Sequence, residues 1–119
     1  VAMPEVFLFD QGSSPRPREQ VRIEQARAEP YPDGIRVRVT VMLTPFFERP
    51  NLSITISDSS GETVAEADVL EPITPTTEMT MHLRRPAPRG EHSLRVALYY
   101  GNDEPQDVSL LSFLPGNES

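Results

Sequence analysis

The chain contains no cysteine, no lysine and no tryptophan, and each absence closes a door. Without cysteine there is no disulfide framework, no thiolate nucleophile, no zinc-thiolate centre and no iron-sulfur cluster. The compartment stays open, because a disulfide-free domain suits both the cytosol and a bacterial cell surface. Long apolar runs are missing as well. The longest, Val6-Phe7-Leu8-Phe9, is too short to span a bilayer or to serve as the apolar part of a signal peptide. All basic residues are arginine, which biased codon usage explains without any mechanism. The 11 of them face 18 acidic residues, for a net charge of -7. Such a field repels phosphate backbones, and no basic stripe with interleaved aromatics offsets it, so nucleic-acid binding is disfavoured.

Glycine is scarce, with 6 against 13 prolines in 119 residues, and that proline content is about twice the average usage of about 5%. The prolines fall between apolar runs and not inside them, which makes them punctuation. With 37% hydrophobic residues the chain fills one core and is too thin for two. Opening on Val1, it reads either as a processed protein or as a domain cut from something longer, the second being preferred. Residues 1–20 divide into the apolar tetrapeptide and a Gly, Ser, Pro and charge-rich stretch without period, the signature of an extension or linker. Residues 115–119 read as a tail.

Between them, residues 21–114 show one period throughout. Val21, Ile23, Ala26 and Ala28 alternate with a one-residue slip that marks a bulge near a strand end. Pro-Tyr-Pro-Asp-Gly makes a turn, since proline presets φ and Asp-Gly tolerates a positive one. Ile35, Val37, Val39, Val41 and Leu43 then alternate with polar residues; a strand puts all five on one face, whereas a helix would scatter them. Leu52, Ile54 and Ile56 repeat the pattern, Asp58-Ser59-Ser60-Gly61 turns the chain, and Glu62 to Val69 forms a shorter run. Met79, Met81 and Leu83 come after a proline-bounded crossover. Leu94, Val96, Leu98 and Tyr100 come next, and Val108 to Leu114 closes the series. Seven strands at this spacing with no helical period predict an all-β antiparallel sandwich.

Pro88-Arg89-Gly90-Glu91-His92-Ser93-Leu94-Arg95-Val96 resembles the lead-in to strand F of bacterial immunoglobulin-like and fibronectin-type-III-like modules. The resemblance takes in residues 21–114 and implies a seven-stranded immunoglobulin-like sandwich that serves as a noncatalytic spacer or binder. The sequence departs from the pattern in lacking the core tryptophan and the cysteine pair, and in carrying His92 where a tyrosine-corner Tyr stands. Alternating strand directions then gather Pro45 to Pro50, residues 70–76 and Gly101 to Asp107 at one end. Residues 29–34, 58–61 and 85–90 gather at the other.

The candidate partner-binding residues are Phe46, Phe47, Tyr100, Asp103 and Glu104, all at the first end. Two arrangements of the phenylalanines are open: both rings in the core, or one plugging the sandwich while its neighbour stands in solvent as an anchor between prolines. Asp103, Glu104 and Asp107, beside the Asn102 carbonyl, are oxygen ligands of the type calcium takes, though the spacing matches no EF-hand or repeat loop and a solvated hairpin is the better reading. His82 and His92 lie on different strands and fall short of a metal site. Ser13, Ser59 and Ser60 lie in linker or turn sequence, away from any nucleophile-elbow context. No catalytic residue, metal or cofactor is expected.

Arg36, Arg38 and Arg84 are expected on an outer sheet face, paired with Glu24 or Glu78. The sequons at Asn51 and Asn117 are discounted by position. Val6 to Phe9 has three readings: an extra edge strand, the end of a preceding domain, or a strand donated to a neighbour. The expected function is a noncatalytic module of a larger bacterial extracytoplasmic protein, acting as a spacer or protein-interaction domain, without nucleic acid and without a membrane span. The alternative is a carbohydrate-binding or calcium-dependent module that uses the loops of one tip.

Overall fold

Alternation sets the strands. In the computed structural model, which describes residues 14–84 and 90–115, the chain runs through β1 (Ile23–Pro30), β2 (Arg36–Leu43), β3 (Asn51–Ser57), β4 (Thr63–Leu70), β5 (Thr76–His82), β6 (His92–Tyr99) and β7 (Asp107–Phe113). All pairings are antiparallel, in a three-stranded sheet ordered β1-β2-β5 and a four-stranded sheet ordered β4-β3-β6-β7. Three hairpins stay within a sheet and three connections cross between sheets, so the protein is an all-β sandwich. The expected slip in β1 is present as a register shift between Ile23 and Gln25. A second shift, opposite Ile56 and Ser57, lets Val64 and Ala65 both be buried.

The core lies between the sheets. Val37, Val39, Val41 and Leu43 of β2 face Leu52, Ile54 and Ile56 of β3 and Leu94, Val96 and Leu98 of β6, all buried. Full burial of each such side chain is worth about 1.5–3 kcal/mol against exposure. Two residues break the pattern. Ile35 does not join the inward face: the Asp33 carboxylate takes its N–H at 2.9 Å, the strand begins at Arg36, and Ile35 is left exposed. Thr40 lies on the outward face yet is buried, flanked across the strands by Arg27 and Glu78, whose stems can shade it.

The outward arginines pair differently from expectation. Arg38 does meet Glu78, at 3.7 Å, but Arg36 turns back to Asp33 at 2.6 Å because the β1–β2 turn brings that carboxylate closer. Arg84 lies just past β5 and reaches Glu66 of β4 at 3.0 Å, while its N–H donates to the Val64 carbonyl at 2.8 Å. These contacts stitch the two sheets together at one corner. At the other, the Ile23 N–H donates to Asp107 Oδ2 at 2.8 Å.

The loops sort between two ends. At the first, the Leu43 N–H donates to Pro75 O at 2.9 Å and the Glu71 N–H to Pro50 O at 3.1 Å, which sets the β2–β3 loop against the β4–β5 crossover. At the second, the Leu83 N–H donates to Ile35 O at 2.7 Å. Val6 to Phe9, residues 85–89 and the Asn117 sequon lie outside the described residues. No helix among the described residues is long and apolar enough to cross a membrane.

Candidate functional site

The first end is built on the loop between β2 and β3. Thr44 closes the strand by donating its N–H to Arg22 O at 2.9 Å, and Pro45 and Pro50 bracket the loop. Neighbouring side chains of an extended segment point opposite ways. Phe46 accordingly packs against the core, while Phe47 is 74% exposed. The arrangement with one ring in and one ring out is the one adopted.

Residues 14–20, read from sequence as linker, lie across this loop. Arg16 donates its N–H to Pro45 O at 2.9 Å and accepts the Phe47 N–H at 3.2 Å, a parallel bridge around Phe46. A single 3-10 turn at Arg18–Gln20 comes next, closed by the Gln20 N–H on Pro17 O at 2.9 Å, and Val21 then enters the core fully buried.

That turn aims Arg18 at three groups. Its guanidinium lies 4.8 Å from the centroid of the Tyr100 ring, a cation-π distance. One nitrogen meets Glu48 Oε2 at 2.8 Å and another meets Asp103 Oδ2 at 3.3 Å. Tyr100 is buried at 4% exposure; its ring seats Arg18 and its hydroxyl donates to Glu48 O at 3.1 Å. Burial, and then the Glu48 charge, push that hydroxyl above the ordinary phenol range. The Gln106 amide donates to Arg18 O at 2.6 Å and to Val21 O at 2.8 Å, which ties the strap to the β6–β7 loop.

Of the residues expected to act together, the structure gathers Phe46, Phe47, Tyr100 and Asp103 at one end, with Glu104 exposed on the same loop outside the cluster. Arg18, Glu48 and Gln106 were missed. The only signal was charge complementarity between an arginine-bearing segment and an acidic tip, which names no pair. Two of the oxygen ligands considered for calcium are engaged otherwise. Asp107 Oδ2 takes the Ile23 N–H, Oδ1 takes the Val108 N–H at 3.1 Å, and Asp103 faces Arg18. Among the described residues no three His, Asp or Glu side chains are grouped to hold a metal.

The remaining polar features are dispersed. His82 is exposed at the end of β5. His92 is buried on β6, with Nδ1 3.2 Å from Gly90 O, its ring 5.9 Å from that of Phe113, and Nε2 without a partner among the described residues. At the second end Arg36 stacks over Tyr31 at 4.4 Å, beside a shallow crevice lined by Glu29, Pro30, Tyr31, Pro32 and Arg38. Hydrogen bonding from Arg38 and Thr80 draws the Tyr31 hydroxyl below its usual range. Neither place sets a nucleophile beside a base.

No protein-family model and no curated protein matches the chain. Solved structures do. A glycosyl hydrolase family 2 member from Bacteroides cellulosilyticus superposes over 79% of this chain with a TM-score of 0.58 and 17% identity. β-Glucuronidases from Ruminococcus gnavus and Lactobacillus rhamnosus give TM-scores of 0.54 and 0.55, each over 81% of this chain at 16% identity. The likeness is one of fold. This chain spans only 15–16% of the length of those enzymes, so the matching part is one β-sandwich segment within each.

Proposed function

We propose that the chain is a noncatalytic immunoglobulin-like module of a larger, bacterial, extracytoplasmic protein, acting as a spacer or protein-interaction domain through the end that carries Phe47. The observation that carries this is Phe47 itself: a large aromatic ring, 74% exposed, on a loop bracketed by prolines and hydrogen-bonded to the strap through its N–H. A ring held this way loses little freedom on binding, which favours its use as an anchor. The strand order, β1-β2-β5 against β4-β3-β6-β7, supports the immunoglobulin-like part, and the match to short segments of much longer bacterial enzymes supports membership in a larger protein.

A carbohydrate ligand is the second reading. Phe47 is also a surface on which a sugar ring can stack, and solved structures of similar fold include a glycosyl hydrolase and β-glucuronidases. Both readings are tested by passing envelope and soluble extracts, and separately a panel of glycans, over the wild-type domain and Phe47→Ala. Phe46 is left in place because it packs on the core. A protein retained by wild type and lost by Phe47→Ala supports the interaction module; a glycan with that behaviour supports the second reading. Equal retention by both removes Phe47 from function and leaves a spacer.

A further inference from the structure

The strap is fastened more firmly than a passive connection requires. Its main chain pairs with the loop on both sides of Phe46, through the Arg16 N–H on Pro45 O and the Phe47 N–H on Arg16 O. Its Arg18 carbonyl, and that of Val21 just beyond it, are held by the Gln106 amide. An isolated bridge of this kind is marginal by itself, and beside the Gln106 amide its charged support converges on one residue. Arg18 lies over Tyr100 and joins Glu48 of one loop to Asp103 of another, two carboxylates brought to the same guanidinium.

We infer that residues 14–20 form a charge-dependent latch, with Arg18 as its pin, that fixes the direction in which the chain enters the sandwich relative to the Phe47 loop. The pin is open to solvent, since the Arg18 side chain is 40% exposed and those of Glu48 and Asp103 are 54% and 70% exposed. Its ion pairs therefore face mobile ions and weaken as salt rises. The seat beneath it belongs to the core, because Tyr100 and Val21 are buried. Latched, the incoming chain and the Phe47 peptide move as one body with the sandwich. Unlatched, the sandwich stays folded while the strap and the loop reorient independently. This holds whether or not Phe47 meets a partner.

Amide hydrogen exchange on the whole chain tests it. The amides of Arg16 and Phe47 report the latch, that of Ile54 reports the fold, and rates are referred to those of unstructured peptides. Arg18→Ala is expected to speed exchange at Arg16 and Phe47 by about five- to tenfold with Ile54 unchanged. Arg18→Lys, which keeps the charge without the planar fork, falls between. Raising salt to about 1 M on the unmodified chain acts in the same direction, since screening then reaches within a few ångströms. Unchanged exchange at Arg16 and Phe47 in the alanine variant overturns the latch. If Ile54 also accelerates in that variant, the salt arm decides, because it needs no substitution. Faster exchange confined to Arg16 and Phe47 upholds the latch, and no change overturns it.

Discussion

The two ends of the sandwich differ in how far their aspartates reach. At the second end they close turns on themselves: the Asp33 carboxylate takes the N–H groups of Ile35 and Arg36, and Asp58 takes those of Ser60 and Glu62 together with the Ser60 hydroxyl at 2.6 Å. At the strapped end Arg18 meets Glu48 30 residues away and Asp103 85 residues away, and Tyr100 reaches a carbonyl 52 residues back. Local turns form wherever the chain has Asp, Ser and Gly in the right order. The strapped end exists only once β2, β3, β6 and β7 are in place to bring its loops together. The aspartate turns of one end are therefore a property of segments, and the Arg18 cluster at the other is a property of the fold.

Removing the residue that gives the strapped end its floor should have the largest effect. Tyr100→Ala is expected to cost about 3–5 kcal/mol in urea unfolding, because it opens a cavity under Arg18, whereas Tyr100→Phe loses one hydrogen bond and about 1 kcal/mol. Equal losses in the two variants would mean that the hydroxyl, not the ring, holds that end. Next comes the corner clasp. Asp107→Ala leaves the Ile23 N–H without its acceptor and is expected to cost about 1–2 kcal/mol, with Asp107→Asn recovering part of it. Exchange at the Ile23 amide should accelerate in step.

The third test separates the ends by pH. The Ser60 hydroxyl and the backbone N–H groups of Glu62 and Ser60 hold Asp58 below its ordinary value of 3.8, with burial opposing. A carboxylate depressed in the folded state stabilises fully above its unfolded value, and that stabilisation is lost as pH falls through the folded one. Asp58→Asn should therefore lower stability near neutral pH and flatten the acid limb, read as urea midpoints at about pH 7 and about pH 3. A limb as steep as that of the wild type would assign the acid sensitivity to other carboxylates. The smallest effect belongs to Phe47→Ser, expected within about 0.5 kcal/mol of wild type because the ring is already in solvent. A larger loss would show the ring to be part of the strapped end's packing.

Much of the fold was legible beforehand because strands advertise themselves by a period of two. Val37 to Leu43 on β2 and Leu94 to Leu98 on β6 fall on their inward faces as the alternation requires, and the slip near Ile23 marks a real bulge. The grouping of the Phe46-Phe47 loop with the 101–107 loop came from strand direction alone. Ile35 was misread because a turn carboxylate competes for its backbone, and the pairing of Arg36 because a nearby Asp33 outcompetes a cross-strand partner.

What the sequence determined by itself is the architecture: alternation selects strands, proline and Asp-Gly place the turns, and the lack of cysteine removes whole classes of chemistry. What only the tertiary structure decided is which of the two adjacent phenylalanines faces water, and that an arginine in a proline-rich, periodless stretch becomes the pin of the strapped end. The physical reason is range. Hydrophobic period and turn preference act between near neighbours and are written in consecutive letters. The site of Arg18 is assembled by loop closure across most of the chain, and no local pattern encodes which carboxylates will arrive there.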